Sequence, residues 1–297
     1  MDKNTGMSKS NISIVCFLLL IIQLVHHVFA QPIEKINIFV SVPPQKYLIE
    51  RIGGDHVNVS IMVGPGQNPT TYEPTPKQMA KLAEADAYFR IGVPFENVWI
   101  DVISEISDSL RIIECCESML DREYVEHTHN QIGTSQIHDP HIWTSPVKAM
   151  DIAKLIHNEL SAIDPQSENY YSANYNNLIA DLTSLDKRIR DQIKGVNGRY
   201  LVVSHPSWGY YADAYGLVQI AIEQKGKEIQ AKALVELVQF ARKEMIHTVF
   251  VQKQFNHASA EILAREIGAT VQEIDPLAEN YIENLDFVTG VIIKGLK

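Results

Sequence analysis

Cysteine is nearly absent, with three in 297 residues. Cys16 falls inside an N-terminal apolar run. Cys115 and Cys116 are neighbours whose Cβ atoms diverge along an extended chain, so they suit no ordinary disulfide. The fold must therefore stand without cross-links, and at the end of an apolar strand expected at 110–113 the pair reads as small core residues rather than metal thiolates. Basic charge is also scarce: 26 Lys and Arg against 36 Asp and Glu leave a formal charge of -10. That balance disfavours nucleic acid and anionic lipid surfaces, which need clustered cations, and it suits attraction of positive ions. After residue 30 no apolar run approaches the ~20 residues that span a bilayer, so the remainder is expected to be soluble. A Walker-type phosphate loop is missing as well, because Gly64-Pro65-Gly66 is not followed by Lys-Ser or Lys-Thr.

The first 30 residues read as an export signal. Lys3 and Lys9 precede an apolar run at 12–25, and Val28-Phe29-Ala30 offers a small-residue cleavage site, leaving Gln31 as the new N-terminus. Cys16 has no small residue before it, which argues against lipid attachment. A periplasmic or otherwise extracytoplasmic location follows. The roughly 270 residues that remain suggest two lobes.

From Ile36 onward, strand-like runs alternate with helical ones: strands at 38–42, 57–63 and 87–91, helices at 46–52 and 77–83. A second series has strands at 200–203, 218–222, 248–251 and 270–274, with helices at 228–245 and 259–267. Strand alternating with helix implies parallel sheets. Between the two series Tyr171, Tyr175, Leu178, Leu182, Leu185, Ile189 and Ile193 recur at helical spacing, predicting one long helix over 166–194, about 43 Å at 1.5 Å per residue. The expected fold class is thus α/β, two parallel-sheet lobes joined by one long rigid helix. Its parts are a signal peptide at 1–30, an N-terminal lobe at 31–165, the linking helix at 166–195 and a C-terminal lobe at 196–297. A helical connector, unlike a Gly- and Ser-rich coil, argues against wide opening of the lobes.

Three segments gather polar ligands after expected strands or in loops: Asp139-Pro140-His141-Ile142-Trp143, Ser204-His205-Pro206-Ser207-Trp208-Gly209 and Ile274-Asp275-Pro276-Leu277. Neutral imidazoles offer nitrogen lone pairs and a carboxylate offers oxygen, so two His and one Asp converging from both lobes suit zinc or manganese. A polar segment at 126–138, with His127, His129 and His138, reads either as a loop that collects metal at the entrance or as a polar loop with incidental histidines.

These residues are similar to the zinc- and manganese-binding solute receptors of ABC transporters, whose fold is two α/β lobes on one long backbone helix. The resemblance covers nearly all of the chain after the signal. It rests on Gly66-Gln67-Asn68-Pro69-Thr70-Thr71-Tyr72-Glu73-Pro74-Thr75-Pro76, Asp139-Pro140-His141-Ile142-Trp143, Ser204-His205-Pro206, the stretch 209–217 and Asp275-Pro276-Leu277. It implies His141, His205 and Asp275 as metal ligands. It also departs from the family at one place: the position before Tyr-Glu-Pro that usually holds His is Thr70, which leaves a fourth position for water, a loop His or Glu73.

The resemblance implies a monomeric receptor that takes one divalent ion, Zn2+ before Mn2+, to an ABC permease with separate ATPase subunits. No catalytic residue, enzyme activity or nucleic-acid partner is expected. Two other readings share the scaffold: a metal-binding adhesin or metal buffer without transport, and a zinc hydrolase using three protein ligands and a water. The hydrolase lacks a His-Glu-x-x-His helix and a carboxylate spaced as a general base.

Overall fold

The computed structural model of the chain describes residues 34–115, 138–223 and 229–297. The expected signal at 1–30, Cys116 and the histidines at 127 and 129 lie outside the described residues. Residues Ile36–Lys297 form one compact unit.

Two four-stranded sheets, each wholly parallel, make up its frame. The first contains β1 (Ile36–Val40), β2 (Val57–Ile61), β3 (Ala87–Arg90) and β4 (Arg111–Glu114), in the order β2-β1-β3-β4. The second contains β5 (Tyr200–Val203), β6 (Val218–Ala221), β7 (Thr248–Val251) and β8 (Thr270–Glu273), in the order β6-β5-β7-β8. The same winding therefore occurs twice, although no sequence repeat announces it. In such a sheet the crevice opens at the carboxyl ends of the strands where the winding reverses, here between β1 and β3 and between β5 and β7.

Helices α1 (Pro43–Gly53), α2 (Pro76–Ala83), α3 (Pro94–Glu105) and α4 (Pro146–Ile163) each begin with proline, whose fixed φ suits the first turn and whose missing N–H is not needed there. Thr75 closes α2 with a capping box: its hydroxyl accepts from the Gln78 amide at 3.3 Å and Gln78 Oε1 accepts from the Thr75 amide at 3.2 Å. Thr75-Pro76 in the first loop is thus a helix start. In the second half lie α6 (Gly209–Tyr215), α7 (Ala231–Lys243), α8 (Ala258–Ile267) and α9 (Tyr281–Gly295).

The long helix expected from the sequence is α5 (Glu168–Ile193), preceded by a short 3-10 turn at Pro165–Ser167. Its 26 residues reach about 39 Å. The stripe of apolar residues is the buried face, with Tyr171, Leu178, Leu182, Leu185 and Ile189 at 0% exposure and only Tyr175 half-buried. These side chains belong to a core that takes in Leu48 and Ile52 of the first half and Leu201, Phe250 and Val288 of the second. Polar bonds tie the helix along its length. Arg51 meets Asp181 at 2.6 Å and Asn174 donates to the Ile52 carbonyl at 3.0 Å; further on, Arg188 pairs with Asp286 and Arg190 donates to the Ala214 carbonyl at 3.0 Å. A helix fixed to both halves by a shared core acts as a rigid spacer.

Candidate metal centre

Every loop that reaches the site leaves the carboxyl end of a strand or the connection that follows it. A cavity of about 30 Å³ lies there, lined by Thr70, His141, Trp143, His205, Phe255 and Leu277 among others. That volume holds an ion or a water molecule and is about a tenth of what an organic solute requires.

Three of the lining residues arrive by one local device. In Asn68-Pro69-Thr70, Asp139-Pro140-His141 and Asp275-Pro276-Leu277, the first side chain accepts a hydrogen bond through Oδ1 from the amide two residues on, at 2.8, 3.0 and 2.8 Å. Each is an Asx turn with proline at its centre, where the missing N–H and fixed φ favour the bend. The third residue of each turn, Thr70, His141 or Leu277, lines the cavity.

His205 comes from the turn after β5, tightened by the Ser207 amide donating to the His205 carbonyl at 2.8 Å. Its ring stacks on Phe255, centroids 3.9 Å apart, and meets the His141 ring edge-on at 5.3 Å. Both imidazoles are buried, at 8% and 7% exposure, so two of the expected ligands are together in a dry place. Burial holds the His205 pKa below its ordinary value and the nearby His141 pushes the same way, while the hydrogen bond to Glu223 opposes them. His205 is accordingly neutral at physiological pH, the form that ligates a metal.

Asp275 does not line the cavity, although Pro276 and Leu277 beside it do. Its Oδ1 is held by the Leu277 amide and by Gln254 Nε2, at 2.8 and 2.9 Å. Among the described residues no three His, Cys, Asp or Glu side chains stand close enough together to hold a metal ion. Thr70 lines the cavity at the place where the resemblance implies a His, and the exposed Glu73 does not.

The walls are rigid. Trp143 Nε1 donates to the Pro276 carbonyl at 2.8 Å, and the Trp143 carbonyl accepts from the Tyr281 hydroxyl at 2.6 Å, both bonds buried. This cross-brace joins the loop of His141 to the loop of Asp275. The β3–α3 turn, which contributes Val93 and Pro94 to the lining, is fixed by Glu96. Glu96 is fully buried and accepts from the Ile91 and Gly92 amides, each at 2.9 Å, and from Arg90 Nε at 3.2 Å. Gly92 sits at φ +91°, a conformation costly to any residue with a Cβ.

Sequence reasoning misses Glu223, Gln252, Gln254 and Phe255. Glu223 is recoverable only from strand pairing: the β5–β6 register sets Val203 opposite Ala221, and two residues further on it sets His205 beside Glu223. Cys115, buried and bonded by Gln45 Nε2 at 3.7 Å, packs in the core as its surroundings suggested.

Residues 38–295 match the family described as zinc-uptake complex component A, periplasmic. The chain is 28% identical over 271 residues to the zinc-binding lipoprotein AdcA of Streptococcus pneumoniae R6, covering 85% of this chain and 54% of AdcA, so it spans about half the length of that relative. It is 27% identical over 272 residues to the high-affinity zinc uptake system protein ZnuA of Bacillus subtilis, covering 87% and 84% of the two chains. A crystal structure of ZnuA superimposes with a TM-score of 0.84 at 37% identity, over 89% of this chain and all of the other.

Proposed function

This chain belongs to the family of periplasmic component A proteins of zinc-uptake complexes, and on that premise we propose that it captures one Zn2+ ion between its two sheets and hands it to an ABC permease driven by separate ATPase subunits. The observation that carries the reading is the meeting of His141 and His205, one from each half, in a buried cavity the size of an ion. Asp275 is the proposed oxygen ligand, and Oδ2 is the atom left for the metal, since its Oδ1 is held by Gln254 and Leu277. Water fills the fourth position beside Thr70. The receptor works outside the cytoplasm as a monomer, with residues 1–30 removed and lobes at 31–165 and 196–297 joined by 166–195. Among the described residues no helix is long and apolar enough to cross a membrane. No bond of a substrate is made or broken.

Zinc is preferred over Mn2+ because two imidazoles and one carboxylate form a borderline-soft set, whereas manganese favours more oxygen. Competitive titration of the purified protein is expected to show one zinc per chain and much weaker manganese. Run from pH 8 to pH 5, the same titration is expected to show zinc affinity falling as the pH falls. The sign follows from competition of protons with the metal for the ring nitrogens, and the lowered pKa of His205 moves its share of that loss to lower pH than an ordinary imidazole would show. Zinc that binds more tightly on acidification, or with no dependence down to pH 5, refutes the site.

Thr70 gives a second test. It occupies the same place in its Asx-Pro turn as His141 in its own. Thr70→His is expected to raise zinc affinity about tenfold or more by replacing water with an imidazole nitrogen; unchanged affinity shows that the first loop does not reach the ion.

A further inference from the structure

Both rings in the cavity are met on Nδ1 by a carboxylate. Asp139 Oδ1 lies 2.7 Å from His141 Nδ1, and Glu223 Oε2 lies 2.7 Å from His205 Nδ1. An ionised carboxylate has no hydrogen to give, so a neutral ring facing one holds its proton on Nδ1 and leaves its lone pair on Nε2. The two contacts arise by unrelated routes. Asp139 reaches His141 from within one turn, using the same Oδ1 that accepts the His141 amide. Glu223 reaches His205 across parallel strands, where its own amide donates to the Ser204 carbonyl at 3.0 Å and continues the β5–β6 ladder. Two independent solutions to one geometric problem, one in each half, point to a requirement of the site rather than to an accident of packing.

We propose that Asp139 and Glu223 are positioning residues for the metal, each locking its histidine in the tautomer that presents Nε2 to the cavity and strengthening that nitrogen as a donor. The inference rests on the zinc-capture reading and deepens it. Hydrogen-bonding a ligating imidazole to a carboxylate raises its basicity and fixes its plane. The effect matters more here than in a site with three imidazoles, because Thr70 stands where a third would be. The two carboxylates also bring negative charge one ring away from a divalent ion in a cavity whose lining, among the described residues, carries no charged side chain of its own beyond the two imidazoles.

The test is Glu223→Leu and Glu223→Gln beside wild type, in purified protein. Long-range 1H–15N correlation of the zinc-free protein reads which imidazole nitrogen bears the proton, and competitive titration reads zinc affinity. Wild type is expected to show His205 protonated on Nδ1. Glu223→Leu should lose that preference and about 100-fold in affinity, whereas Glu223→Gln, which keeps an acceptor oxygen without the charge, should retain the tautomer and lose about tenfold. A contact that merely braces the loop would leave the tautomer of the Leu variant unchanged. Wild-type His205 protonated on Nε2 overturns the proposal, and so does affinity within twofold of wild type in either variant, the Gln variant sufficing if the Leu variant does not fold. A wild-type protein that takes up no zinc sinks the capture reading and this inference with it; zinc bound equally by wild type and variants sinks this inference alone.

Discussion

Replacing His205 by alanine is expected to lower zinc affinity by about 10²–10³-fold, and His141→Ala by a similar factor. The magnitude comes from sharing the ~10–16 kcal/mol of a structural zinc site among four ligands, about 2.5–4 kcal/mol each, at 1.4 kcal/mol per tenfold. Both rings are buried and His205 stacks on Phe255, so lost packing accompanies lost ligation in the alanine variants. His205→Gln, which keeps the side-chain volume against Phe255, separates lost ligation from lost packing. Competitive titration with a chromogenic chelator measures the affinities, and denaturant unfolding checks that each variant folds. If both alanine variants retain zinc within threefold of wild type, the ion is held elsewhere and the cavity at His141 and His205 is not the capture site.

The largest effect on stability is expected from Trp143→Ala, about 4 kcal/mol. The side chain is 1% exposed, and truncation of a buried aromatic costs ~3–5 kcal/mol through lost transfer energy and the void left behind. The change also leaves the Pro276 carbonyl without the indole donor at 2.8 Å. Trp143→Phe keeps most of the burial and removes only that hydrogen bond, so it should cost ~1–2 kcal/mol. Its zinc affinity should nonetheless fall, because the brace sets the spacing between the His141 loop and the Asp275 loop. The denaturation midpoint and zinc titration together decide the matter. Lost stability with unchanged affinity in the Phe variant would make Trp143 a core residue without influence on the site.

The long helix was legible because its signal is local and redundant: the apolar stripe from Tyr171 to Ile193 repeats through most of a 26-residue helix, more than any turn or strand provides. The strands after Tyr200 and Thr248 were equally plain, being short β-branched runs that start and stop where the sheet does. Helices α3, α4, α6 and α9 raised no expectation. Ile152, Ile156 and Leu160 carry the period of α4, but its start is marked by Pro146 behind a short 3-10 turn, which reads as loop. The Asp-Pro-His segment showed that polar ligands, a histidine among them, gather in a loop. It did not show that the aspartate's oxygen holds both the amide and the ring of that histidine.

By itself the sequence determined what is written in local chemistry. Negative charge and scarce cysteine narrowed the class of chain, the period of α5 gave the two-part plan, and the Asp-Pro-His, Ser-His-Pro and Asp-Pro-Leu segments marked where ligands gather. Only the tertiary structure decided who meets whom across long separations. Strand register brings Glu223 beside His205, and a core continuous along α5 sets His141 and His205 5.3 Å apart. The same packing leaves Asp275 bonded to Gln254 rather than lining the cavity. The physical reason is range: a turn or a helical stripe is stabilised by neighbours a few residues away, whereas a metal site is assembled by sheet pairing and core packing between segments far apart in the chain, and no single segment encodes their distances.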